Sequence, residues 1–154
     1  MATESTFVWD QTFTAYSDFS TATTWINAAS TVYMAAFGGQ YMIVSSAALV
    51  GNNPSVTFCV TSTGTGTTCP IGVIQNNPTS GHAAIVRLMG RSKALASSSG
   101  TIAYGDWVTA TTWGSLVSVT TTGYRVLGIA RSASTGASGQ LIEVDLTGGF
   151  PCLL

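Results

Sequence analysis

The sequence predicts an all-β domain, and three observations carry that prediction. Short apolar runs rich in β-branched and aromatic residues recur along the chain. Clusters of Gly, Ser, Thr, Asn and Pro separate them. No segment shows apolar residues at i, i+3, i+4 and i+7 over about twelve positions with helix-forming composition. With 154 residues and 15.8 kDa, the chain has the length of one domain, and closely spaced short strands predict a single small β-barrel or sandwich.

The elements follow in order. Residues 1–16 (MATESTFVWDQTFTAY) mix hydroxyls with Phe7, Trp9, Phe13 and Tyr16 and contain no turn chemistry. This composition fits an extended N-terminal arm lying on a surface, or equally the first strand of the sheet. The β domain is expected over 17–147. Its strands are expected at 31–37 and 40–46, around a Gly38-Gly39 hairpin turn, and at 55–62 and 69–75. Further strands are expected at 82–90, 106–110, 115–122, 124–130 and 140–146. Asn52-Asn53-Pro54, Asn76-Asn77-Pro78 and Gly148-Gly149 mark breaks. Gly72 and Gly90, in strand context, predict bulges or close backbone approach. The tail over 148–154, GGFPCLL, is apolar and expected to dock. A hairpin turning near Gly64 would set Cys59 opposite Cys69. Either a cross-strand disulfide or, as a reducing compartment favours, two small apolar side chains fits that register.

Charged residues are only 7% of the chain, against about 25% in an average protein, and 24 threonines and 18 serines make up much of the polar part. Net charge is −1 and mean hydropathy +0.37. So few charges argue against a nucleic-acid footprint and against a free-standing soluble monomer. No apolar stretch approaches the roughly 20 residues needed to span a membrane as a helix. The beginning of the chain lacks the pattern of a secretory leader. All five basic residues lie between Arg87 and Arg131. Arg87, Arg91 and Lys93 share odd parity and so one face of a strand. They form either a solvated face or a small basic stripe meeting an acidic neighbour, such as the N-terminal segment of another copy with Glu4, Asp10 and Asp18.

No catalytic constellation, metal set or cofactor loop is expected. His82 is the single histidine and follows a Pro-Thr-Ser-Gly turn, where a surface loop residue is expected rather than a triad member. Glu143 and Asp145 share a strand face, which predicts a solvated or salt-bridged edge rather than a catalytic carboxylate pair. The expectation is that the chain is not an enzyme.

The stretch GVIQNNPTSGHAAIVRLMGRSKALA (72–96) is distinctive. Together with Gly105-Asp106, Gly128-Ile129-Ala130 and Ser138 to Val144, it resembles the capsid decoration, or cement, proteins of tailed bacteriophages. The resemblance covers about 18–147, densest over 72–96. It implies a virion protein made in the host cytoplasm and docked on the outer surface of the phage head. There it would stabilise contacts between major capsid protein subunits, commonly as a homotrimer, with no nucleic-acid or membrane partner. Candidate contacts with capsid or other copies are Phe7, Val8, Trp9 and Phe13 of the arm, the stripe Arg87, Arg91 and Lys93, and Phe150, Leu153 and Leu154 of the tail. The alternative is a head-displayed carbohydrate- or host-surface-binding module, for which Trp9, Trp25, Trp107 and Trp113 would form an exposed row.

Overall fold

Hydroxyl-rich, β-branched runs with short turns leave the backbone one economical way to satisfy its polar groups, which is cross-strand pairing. A computed structural model describes residues 8–16, 19–20, 39–59, 70–98, 100–111, 114–119, 125–137, 139–147 and 152–153. Among these residues the chain is all-β. The strands are β1 (Trp9–Ala15), β2 (Ile43–Val50), β3 (Asn53–Phe58), β4 (Pro70–Ile74), β5 (Ala83–Leu95) and β6 (Trp107–Ala110). They continue with β7 (Leu116–Ser118), β8 (Arg125–Val126), β9 (Gly128–Ala130), β10 (Leu141–Thr147) and β11 (Cys152–Leu153).

The order β1-β3-β2-β4-β5, with β1 returning to pair β5, closes a five-stranded barrel. Only the β1–β3 contact in it is parallel. From the far half of β5 the sheet continues through β10, β9, β6 and β7. Strands β1 and β10 therefore lie end to end along one edge of β5, meeting at Met89, which pairs with Trp9 on one side of the junction and Thr147 on the other.

Two cores result. Val44, Val56, Ile74, Ala84, Val86 and Leu88 fill the barrel together with Met42 and Phe19. Ile43 and Val73 point the other way, into a second core with Val108, Leu116, Leu127, Ile142 and Val144. β2 and β4 are thus apolar on both faces, as strands covered on both sides must be. Full burial of each such side chain contributes about 1.5–3 kcal/mol.

Two glycines shape β5 and its neighbour. A Cβ on Gly72 would lie 2.3 Å from the Arg87 carbonyl oxygen, so β4 approaches β5 there as no other residue permits. Gly90 has φ +92°, a conformation that L side chains rarely adopt. It lets β5 run on through Leu95, beyond the end expected at residue 90, and pass from the barrel into the second layer.

The 76–82 turn is bound in several places. Asn76 Oδ1 accepts from the Ile85 amide and its Nδ2 donates to the Ala83 carbonyl. The Gly81 amide donates to the Ala15 carbonyl, and Ser80 Oγ donates to the Tyr16 carbonyl. The turn thereby locks β1 into the barrel.

Other boundaries moved. Of the two alternatives for residues 1–16, residues 9–15 take the strand, paired on both edges; residues 1–7 lie outside the described residues. The expected strand at 31–37 and Cys69 also lie outside them. The expected strand at 40–46 begins at Ile43, after a turn closed by the Met42 amide on the Gly39 carbonyl. The single strand expected at 124–130 is divided into β8 and β9. In the tail, Cys152 and Leu153 pair with Val126 and Arg125 of the same chain.

Candidate interface and its charged outer face

Along β5, even-numbered residues from Ala84 to Leu88 turn into the barrel and odd-numbered ones face outward, so Ile85, Arg87, Met89, Arg91 and Lys93 share the outer face. The register then sets an acid opposite each cation: Asp10 opposite Arg87, Asp145 opposite Arg91, and Glu143 opposite Lys93. Directly opposed unlike charges stabilise a sheet modestly.

Two of these pairs close. Arg87 grips Asp10 with a fork, Nε to Oδ1 at 2.8 Å and a terminal nitrogen to Oδ2 at 3.0 Å. Asp145 receives Arg91 Nε at 3.0 Å and Arg131 Nε at 2.6 Å. The hydrogen bond from Arg91 is the largest influence on the Asp145 carboxyl; burial opposes it, and the further bond from Arg131 helps to hold the group below the usual carboxylate range. In turn Asp10 raises Arg87, and Asp145 raises both Arg91 and Arg131. The Arg131 guanidinium also stands 6.0 Å over the ring of Tyr104. Seven of the chain's eleven charged residues therefore gather on this one face, leaving most of the remaining described surface to hydroxyl and apolar groups.

The three basic residues do share one face, and part of its acidic complement comes from within the chain. Asp10 pairs with Arg87 within the chain, because β1 is the adjacent strand. Glu4 and Asp18 lie outside the described residues. The salt-bridged edge expected for Glu143 and Asp145 is found at Asp145.

Exposed apolar side chains flank the charges. Val8 and Trp9 (46% exposed) lie at the start of β1 and Ile85 on β5, while Trp107 (42%) and Tyr104 (68%) lie toward β6. Trp107 belongs to the cross-strand row Trp107–Ile129–Asp145–Arg91. Phe13, by contrast, turns inward and packs against the barrel core, since it pairs with the buried Ala84. That leaves Val8 and Trp9 as the contact candidates of this segment. Phe7, Phe150, Leu154, Trp25 and Trp113 lie outside the described residues. His82 is exposed, with Nδ1 2.6 Å from Thr79 Oγ1.

Sequence reasoning did not single out Tyr41. It is the one non-glycine residue with positive φ among the described residues, at +68°. Its amide donates to the Ile74 carbonyl and its carbonyl accepts from the Leu95 amide, so two strands pin it in a conformation costing about 1–3 kcal/mol. Its half-buried side chain lines a cleft of ≈ 260 Å³ with Gln75, Arg87, Arg91, Ser92, Lys93 and Glu143. Gln75 Nε2 is fixed at the cleft by the Val73 carbonyl and Ser92 Oγ.

No protein-family model matches the chain, and no curated protein matches it. Among solved structures it is similar to the N base of the head fibre gp8.5 of bacteriophage phi29, with a TM-score of 0.61 and 15% sequence identity. The match covers 92% of this chain and 95% of that chain. At this identity the likeness is one of fold.

Proposed function

We propose that this chain is a structural protein of a tailed bacteriophage that attaches to the outer surface of the head and cements contacts between major capsid protein subunits. The observation that carries the proposal is the fold, shared over nearly its whole length with the base of a head fibre. The resemblance of residues 72–96 to decoration proteins points the same way by a separate route. A small barrel with a sparsely charged surface is suited to lie against a protein shell, where exposed apolar and hydroxyl groups exchange water for a neighbour. In this reading Val8, Trp9, Ile85 and Trp107 supply the apolar contacts, and the ion pairs around Asp145 act at the rim, where charges govern rate and specificity more than affinity. A homotrimer with closed symmetry is the expected assembly, with no catalytic activity and no cofactor.

The test is decoration of bare heads. Purified protein mixed with heads lacking it should co-sediment saturably, raise the temperature at which the heads release DNA, and give density on the outer surface in a particle reconstruction. Failure to bind mature heads at micromolar protein would overturn head attachment. Binding without a gain in head stability would remove the cementing role alone.

A further inference from the structure

The cleft at the barrel's outer face is equipped beyond what packing requires. Arg87 donates to both carboxylate oxygens of Asp10 and to the Arg91 carbonyl. Lys93 and Glu143 are register partners, yet among the described residues neither makes an ion pair. Arg91 uses only Nε toward Asp145 and is 49% exposed at its side chain. The lining therefore offers an ammonium outside any ion pair and spare guanidinium N–H groups, which are donors only, beside a carboxylate outside any ion pair, which only accepts. The Tyr41 side chain lines the same cleft, on a strained backbone that both neighbouring strands enforce.

We propose that this cleft binds one six-membered sugar ring bearing a carboxylate, a hexuronate unit of an acidic glycan. The ring's apolar face would lie on Tyr41, its carboxylate would accept from Lys93 and Arg91, and its hydroxyls would donate to Glu143. Counting the acids that pair with the lining cations, Arg87, Arg91, Lys93 and Arg131 stand against Asp10, Asp145 and Glu143, a net charge of +1 that favours an anionic sugar over a neutral one. A volume of ≈ 260 Å³ is below the range of about 300–1,000 Å³ that takes drug-sized ligands, and so limits the occupant to a single ring. The proposal does not rest on head attachment: it is tested on the isolated chain, and either can fail alone.

The experiment is an amide chemical-shift titration of the whole protein in physiological salt with sodium glucuronate, glucose and sodium acetate. Glucuronate should give saturable shifts at Tyr41, Gln75, Ser92, Lys93 and Glu143 with a Kd on the order of 1 mM. Glucose and acetate should each bind at least about tenfold more weakly. Lys93→Met and Glu143→Gln, both at exposed positions, should each weaken glucuronate about tenfold while leaving the remaining spectrum in place. Equal binding of acetate would reduce the cleft to an adventitious anion site and overturn the proposal. Equal binding of glucose, absence of saturable shifts with glucuronate, or full affinity in Lys93→Met would overturn it as well.

Discussion

Replacing Gly72 by alanine tests how the barrel is held together. The new Cβ would stand 2.3 Å from the Arg87 carbonyl oxygen and 2.8 Å from Val86 Cγ1. Real Cβ atoms essentially never come within 3.0 Å of a neighbour, so the strands must part by at least 3.0 − 2.3 = 0.7 Å. The Gln75 amide to Ile85 carbonyl bond between the same strands is 2.8 Å, and the same displacement would lengthen it to 3.5 Å, beyond the ordinary range. Losing two such bonds costs about 1–3 kcal/mol at about 0.5–1.5 each, and overpacking adds about 1–3 kcal/mol. A total near 4 kcal/mol is a large part of a typical stability of about 5–15 kcal/mol. At roughly 2–4 °C per kcal/mol for a domain of this size, Tm should fall by about 8–16 °C. Thermal melts followed by circular dichroism measure this directly. Gly81→Ala serves as the comparison, since nothing lies within 4 Å of its Cβ and only its φ of +83° opposes the change; it should cost about 1–2 kcal/mol. A Gly72→Ala protein melting within about 3 °C of wild type, equivalent to roughly 1 kcal/mol, would refute the close approach of β4 and β5.

Further outcomes are expected elsewhere. Ser45 Oγ is buried without a hydrogen-bond partner among the described residues, so Ser45→Ala should raise the urea midpoint, by up to about 1 kcal/mol in stability. Because the Asp145 carboxyl is held low in the fold, its contribution to stability is present above the unfolded value of about 3.9 and is lost as pH falls through the lower folded value. Asp145→Asn should therefore flatten the acid limb of a pH–Tm profile, and an unchanged limb would deny the linkage. Trp9→Ala with Trp107→Ala should weaken head decoration at least about tenfold while shifting Tm by only a few degrees. Arg91→Ala should slow decoration at low ionic strength and matter less at physiological salt, where the Debye length is about 8 Å.

Much of the strand pattern was legible because it is local. Alternation in HAAIVRLMG and QLIEVDL exposes period 2 directly, and the odd parity of Arg87, Arg91 and Lys93 became one outward face. What remained hidden depends on partners distant in sequence. Asp10 and Arg87 are 77 residues apart, and nothing in WDQTFTA announces that its other side will be β5. The strand expected at 82–90 ends at Gly90, yet there the positive φ carries it onward into the second layer. Tyr41 carries no local mark, since only the carbonyl of Ile74 and the amide of Leu95 hold its backbone where glycine would ordinarily be found. The cleft was illegible for the same reason.

The end-to-end placement of β1 and β10 on β5 also dictates an order of events. β1 is the first strand described, yet it cannot close the barrel until residues 83–89 exist to receive it, and β10 must arrive from more than 40 residues later to occupy the rest of that edge. Pairings of such sequence separation place folding toward the slow end, on the order of milliseconds to seconds. While the chain is being synthesised, the edges of β3 and β5 stand open to any passing strand. A nascent chain of this kind is exposed to association with its own copies until β10 (Leu141–Thr147) is made, and crowded synthesis of many copies would heighten that exposure.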